Sequence, residues 1–263
     1  MFRSIYSLLI FISIAAGLTL WYVTPAGLGL TNDSAAYIGG ARSILAGTGY
    51  SDIWLDSALE PITHYPPLLS LTLSGIGLAG LDPYRGARVL NIFLFAANTG
   101  LMGLIGWRIT KSQSAGVFLA LLFAANAQLL KIHTYVLSEP LFLFFSLASF
   151  LFFDFSVAGQ RTKGEKGHWS LKTDYCVLLT GFLTGLAFLA RYSGLALIAT
   201  FPVVIFLFAA DWRSCFTKIA QFLAGAIPPI AAWFIRNALV AESATNRSEE
   251  RRVGKECRSR WSP

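Results

Sequence analysis

The sequence predicts an all-α, polytopic membrane protein, and three observations carry that expectation. Of the 263 residues, 55% are hydrophobic and 13% charged, whereas soluble domains hold ~45–50% and ~25%. The mean hydropathy is +0.58. Windows of roughly 20 apolar residues, enough to cross a ~30 Å hydrocarbon core, recur along the chain. This composition excludes a soluble single domain and a disordered chain. The three cysteines, Cys176, Cys215 and Cys257, are too few and too scattered for a disulfide framework or a zinc site.

Seven windows read as spans: Ile5 to Val23, Val89 to Trp107, Ala115 to Leu130, Leu141 to Val157, Tyr175 to Ala190, Leu195 to Ala210 and Phe216 to Ile235. The last contains the Pro228-Pro229 pair, tolerated within a membrane where neighbouring helices satisfy the freed backbone groups. The first is read as an anchor rather than a cleaved signal, because its apolar run is long and lacks a small-residue cleavage site. An eighth segment, Pro67 to Leu81, is short and carries three glycines. It is expected to be re-entrant or interfacial, and the charges decide this. With it held on one side, the basic residues before position 247 divide into nine cytoplasmic (Arg3, Arg108, Lys111, Arg161, Lys163, Lys166, Lys172, Arg213, Lys218) and six external (Arg42, Arg85, Arg88, Lys131, Arg191, Arg236). Were it to span, every later loop would invert and the basic connection around Lys163 and Lys166 would have to be translocated, against the positive-inside rule.

From Arg247 to Pro263 the composition breaks: six Lys/Arg and three Glu occur in seventeen residues. This tail resembles the conceptual translation of a widely used short-read sequencing adapter. It is set aside from fold reasoning as a non-native addition, with the native chain expected to run to about Asn246 and to continue beyond it. Without the tail, 15 basic residues face 11 acidic ones, and the formal charge falls from +7 to +4.

The connection from residue 24 to residue 88 is long, lies outside in this topology and carries Asp33, Asp52, Asp56, Glu60 and Asp82. Thr31 or Asn32 can cap a helix starting at Asp33, and Gly47 can end it in the left-handed conformation. Tyr37, Ile38, Ala41, Ile44 and Leu45 fall on one face, so the helix is expected to lie flat on the membrane surface. Asp33 sits in the first turn, one turn before Tyr37, where the helix dipole stabilises a carboxylate. Glu139 follows Ser138 at the outer start of the fourth span, with Pro140 at a first-turn position that suits proline. An acid at the edge of hydrocarbon is costly unless paired or wet, which points to a role. Asn91, Asn98, Asn126 and Gln128 are expected to hydrogen-bond between helices. His64, His133 and His168 share no ligand spacing, so they indicate no metal; no cofactor is predicted, and the need for a divalent metal stays open.

Thr31 to Tyr50 (TNDSAAYIGGARSILAGTGY), His64 to Leu71 (HYPPLLSL), Arg88 to Asn91 (RVLN) and Val136 to Phe142 (VLSEPLF) together resemble the GT-C membrane glycosyltransferases. They are similar in particular to the bacterial relatives of the protein mannosyltransferases and of the lipid A aminoarabinose transferase. The resemblance implies a GT-C bundle in the bacterial plasma membrane, with interfacial helices in the first external loop and the active site on the external face. It also implies a polyprenyl-phosphate sugar donor, a hydroxyl acceptor and membrane lipids as partners, without nucleic acid. Asp33 matches the family's catalytic acid, and Glu139 an acidic residue of the acceptor site. Arg191, in LARYSG, matches a residue that binds the donor phosphate, with Arg88 and Arg85 next in line. Tyr37, His64, Tyr65, Pro66 and Pro67 position the loop. The chain departs from the aminoarabinose transferases before the PPL motif, where His64 and Tyr65 stand in place of a phosphate-binding Lys.

A lipid or sugar transporter is the rival reading. Transporters place ionisable groups near the midplane and break helices in paired halves, whereas here the charges gather at the outer ends and no halves repeat. A non-catalytic assembly partner is a third reading. The topology has a direct check: a cysteine at Gly49 should be labelled from outside intact cells, and one at Gly164 only from the inside. External labelling at 164 would mean that the segment after Pro67 spans.

Overall fold

The computed structural model describes residues 2–52, 60–161, 171–208 and 211–240. Asp56, His168 and the tail from Arg247 onward lie outside the described residues. Ten α-helices account for nearly all of the described structure. They are α1 (Phe2–Val23), α2 (Asn32–Leu45), α3 (Leu68–Leu78), α4 (Pro83–Thr110), α5 (Gln113–Ala125), α6 (Ala127–His133), α7 (Glu139–Arg161), α8 (Leu171–Ala190), α9 (Leu195–Phe208) and α10 (Trp212–Val240). Between α2 and α3, β1 (Ser51–Asp52) pairs antiparallel with β2 (Glu60–Pro61).

Each of the seven predicted spans is largely helical over its described residues. Among the described residues four helices are long and apolar enough to cross a membrane alone: Ile5–Val23, Pro83–Thr110, Glu139–Ser156 and Trp212–Val240. The predicted third span is not one straight helix. It breaks at Asn126, and α5 and α6 meet at 60° as a single candidate span. Asn126 causes the break locally: its Oδ1 accepts from the N–H groups of Gln128 and Leu129, both at 3.0 Å, and so caps α6 rather than bridging helices. Among the described residues this is the one bent pair. The apolar stretches Tyr175–Ala190 and Tyr192–Leu207 are shorter than full spans. At about 16 Å long, α3 cannot cross a ~30 Å core, in line with its re-entrant or interfacial reading.

Lipid gives helices no hydrophobic reason to associate, so close packing and buried polar contacts hold the bundle. On α1, Ile5, Leu9, Ile12, Ala16 and Leu20 are buried at helical spacing, facing α4 and α5, while Ile10, Phe11 and Ile14 stay exposed as lipid-facing positions do. The tightest crossing joins α8 to α10. A Cβ at Gly181 would land on the Phe222 carbonyl, and one at Gly225 on the Leu178 carbonyl. Between α7 and α10 lies α8, and α4 contacts α1, α5 and α7. At one end of the bundle Arg108 joins α4 to α7 through Asp154 at 2.6 Å, with its guanidinium 3.9 Å over the Phe155 ring. The interfacial helices and the candidate site lie at the other end.

The α2 helix starts as the sequence suggests. Thr31 is the cap, forming a reciprocal capping box with Ser34, and Gly47 ends the helix with φ +78°. Its apolar face does not lie on lipid. Tyr37, Ile38 and Ala41 are buried in a core that includes Leu69 and Leu73 of α3, Ala87 of α4 and Leu141 of α7. The cause is α3, which lies against α2 and takes the place of the membrane surface.

The α8–α10 crossing predicts that Gly181→Val forces the helices apart at a cost on the order of 1–3 kcal/mol, whereas Gly75→Ala, with open space around its Cβ position, leaves stability unchanged. Thermal denaturation of the detergent-solubilised protein measures both.

Candidate active site at one end of the bundle

Three chain segments meet around the phenol of Tyr37: the start of α2, the α6–α7 connection, and the turn between α8 and α9. Backbone and side-chain hydrogen bonds join the first two. Gly29 and Tyr135 form a parallel bridge, with Gly29 N–H donating to the Thr134 carbonyl at 2.8 Å and Val136 N–H to the Gly29 carbonyl at 3.1 Å. Ser34 Oγ donates to the Val136 carbonyl at 2.7 Å, and Tyr37 Oη to Ser138 Oγ at 3.2 Å. From α4, Asn91 Nδ2 donates to the carbonyls of His133 and Tyr135 at 2.9 and 2.8 Å. Asn98 Nδ2 donates to the Pro140 carbonyl at 3.0 Å. These bonds fix the backbone on either side of Glu139.

Asp33 is exposed in the first turn of α2 and accepts a hydrogen bond from Tyr65 Oη at 2.9 Å. The Tyr65 ring meets Tyr37 edge to face at 5.5 Å and lies tilted against His64 at 4.5 Å. Pro66 and Pro67 are buried, and Pro67 opens α3. Across the site, Arg191 Nη1 pairs with Glu139 Oε1 at 2.6 Å, the two side chains keeping 42% and 29% of their exposure. Glu139 Oε2 is buried with no hydrogen-bond partner. Burial raises the Tyr37 pKa above its ordinary value. The hydrogen bond with Ser138 lowers it, the charges of Asp33 and Glu139 raise it, and Arg191 lowers it. Contacts link the three ionisable groups: Tyr65 donates to Asp33 and packs against Tyr37, Tyr37 donates to Ser138, the neighbour of Glu139, and Glu139 pairs with Arg191.

Of the predicted residues, Asp33, Tyr37, Tyr65, Glu139 and Arg191 come together, with His64, Pro66 and Pro67 beside them. Arg88 is placed otherwise. Its Nη2 donates to the Trp21 carbonyl at 3.0 Å and its Nε to Thr24 Oγ1 at 3.3 Å, so it caps the end of α1. Arg85 is exposed on the first turn of α4, and among the contacts of the described residues neither arginine joins the Asp33–Glu139–Arg191 group. Arg42, also at this end, pairs with Asp82 at 3.0 Å and ties α2 to the start of α4. No group of three or more His, Cys, Asp or Glu side chains suited to a metal occurs among the described residues. Ser34 and Ser138 escaped the sequence reading as site residues, although each adjoins a predicted acid.

A polytopic helical bundle with interfacial helices before its second long span, and an acid at the start of the first of them, is the architecture of a GT-C membrane glycosyltransferase. The chain belongs to the dolichyl-phosphate-mannose-protein mannosyltransferase family, whose model matches residues 59–240. Its fold is similar to that of the Saccharomyces cerevisiae protein O-mannosyltransferase Pmt1-Pmt2 complex bound to the sugar donor. The TM-score is 0.70 at 16% sequence identity, covering 92% of this chain and 34% of that one. At this identity the likeness is one of fold, and this chain spans about a third of the length of that protein. No curated protein matches the chain.

Because both partners of the Glu139–Arg191 pair remain part-wet, Glu139→Gln is expected to lower stability by ~1 kcal/mol or less. Thermal denaturation would report this, and a loss of several kcal/mol would mean a dry, structural pair.

Proposed function

We propose that this protein is a glycosyltransferase that moves a sugar from a polyprenyl-phosphate donor to a hydroxyl acceptor on the external face of the membrane, with Asp33 as base and Arg191 on the donor phosphate. One observation carries the reading: Asp33 and the Glu139–Arg191 pair, on segments far apart in sequence, are joined through Tyr65, Tyr37 and Ser138 at one end of a membrane bundle. Membership of the mannosyltransferase family supports it.

In this reaction the acceptor O–H gives its proton to the Asp33 carboxylate as its oxygen bonds to the anomeric carbon. The bond from that carbon to the phosphate oxygen breaks on the opposite side, and its electron pair stays with the lipid phosphate. Displacement from the opposite side inverts the anomeric centre. Arg191 meets the developing phosphate charge with a charge-assisted hydrogen bond. Tyr65 holds one Asp33 oxygen by donation at 2.9 Å, which leaves the other oxygen for the acceptor. Glu139 holds Arg191 through Oε1 beside the same site. The lipid tail remains in the bilayer while its phosphate reaches the ends of the helices, which accounts for the site's position. With Arg88 engaged at the end of α1, Arg191 is the principal phosphate contact.

Asp33→Asn keeps size and a neutral acceptor but loses the negative charge and the basicity, so turnover should fall by roughly 10²–10⁴ while donor binding survives. Arg191→Ala should weaken donor binding first, by about 1.5–3 kcal/mol. A transfer assay with donor binding measured in parallel on membrane-inserted protein separates the two. A fully active Asp33→Asn protein would remove the base assignment and leave Glu139 as the next candidate.

A further inference from the structure

We infer that Arg236 and Asn237, at the far end of α10, are positioning residues for Asp33, acting through the β-hairpin and Tyr65; the inference rests on the function proposed above. Arg236 Nη1 donates to the Ile62 carbonyl and Nη2 to the Tyr50 carbonyl at 2.8 Å, so one guanidinium grips both strands' outer flanks. The same Nη1 donates to Asn237 Oδ1 at 3.0 Å, and Asn237 Nδ2 donates to the Thr63 carbonyl at 3.2 Å. Three backbone carbonyls beside the hairpin are thus satisfied from two consecutive residues of a distant helix.

The grip extends to Tyr65. Tyr50, whose carbonyl Arg236 holds, donates through its Oη to the Tyr65 carbonyl at 3.5 Å. The Tyr50 ring lies 5.7 Å from the guanidinium, and Trp233, one turn before Asn237, lies 5.4 Å from it. Trp233 Nε1 donates to Tyr192 Oη at 3.1 Å, which binds the buried flank to the residue following Arg191. Beyond Tyr65 the buried Pro66-Pro67 pair fixes the backbone angles into α3. Tyr65 is therefore anchored on both sides, and its hydroxyl reaches Asp33 at 2.9 Å. Snorkelling to headgroups, the usual use of an arginine at a helix end, would point Arg236 outward instead of at two carbonyls. The planar fork matters as well as the charge, because a lysine cannot donate in two fixed directions.

The test uses protein in lipid nanodiscs carrying 3-fluorotyrosine at position 65, read by fluorine NMR, with a second label at Tyr84 to report folding. Asp33→Asn sets the position of the Tyr65 signal once its carboxylate partner is lost. Arg236→Gln and Arg236→Lys should both move the Tyr65 signal toward that position, and Asn237→Ala should move it less, while the Tyr84 signal stays in place in all of them. In the transfer assay Arg236→Gln should lower turnover roughly tenfold or more, with the KM for donor unchanged. A Tyr65 signal that moves with Asp33→Asn but not with either Arg236 variant would overturn the inference and leave the proposed function standing. So would a loss of donor affinity in place of turnover. A Tyr65 signal indifferent to Asp33→Asn would overturn the Tyr65–Asp33 contact and the inference with it, whereas the proposed function falls only if Asp33→Asn stays fully active.

Discussion

Irregular backbone placed against a membrane bundle must have its carbonyls satisfied by the protein, and this constraint organises the whole site end of the molecule. The connections after α1, after α2 and after α6 leave their carbonyls without helical partners. Side chains from neighbouring helices meet them: Asn91 and Asn98 of α4 along the α6–α7 connection, Ser34 of α2 at Val136, Tyr84 of α4 at Leu28, and Arg236 and Asn237 of α10 beside the hairpin. Each bond costs a polar residue near the edge of hydrocarbon and in return fixes a loop that could otherwise drift. A transfer site needs that fixity, because a carboxylate has to sit within hydrogen-bond reach of a proton it takes for only part of a catalytic cycle.

The electrostatic arrangement follows from the same economy of charge. Two acids and one arginine share the neighbourhood of Tyr37, and the arginine pairs with only one of the acids. Asp33 is left with a neutral donor, the Tyr65 hydroxyl, and with solvent. Arg191 is half-exposed and held by a single carboxylate.

Much of the frame was legible from residues alone. The helix from Asn32 to Leu45, its Thr31 cap and its Gly47 stop are local matters of hydrogen-bonding side chains and backbone freedom, and they stand as read. Glu139 stood out because an acid beside hydrocarbon is rare, and Asp33 because its loop resembles that of the GT-C glycosyltransferases. Less was legible wherever a residue's partner is distant. Arg88 reads as a phosphate contact by its place in the chain, yet it caps a helix 64 residues earlier. Asn126 reads as an interhelical donor, yet it breaks its own helix. The apolar face of α2 reads as membrane-seeking, yet α3 covers it.

That this is a polytopic α-helical membrane protein, and where its apolar helices fall, are properties of composition and local spacing and could be read from residues alone. Which of its few ionisable residues meet depends on the packed structure. The pairing of Glu139 with Arg191, the donation from Tyr65 to Asp33 and the hold of Arg236 on residues 50 and 62 span 52, 32, 186 and 174 positions of chain. Contacts of that range depend on how helices cross, and helix crossings in lipid are set by the fit of small residues such as Gly181 and Gly225 against a neighbouring backbone. No periodicity along one segment encodes that fit, since it exists only between two.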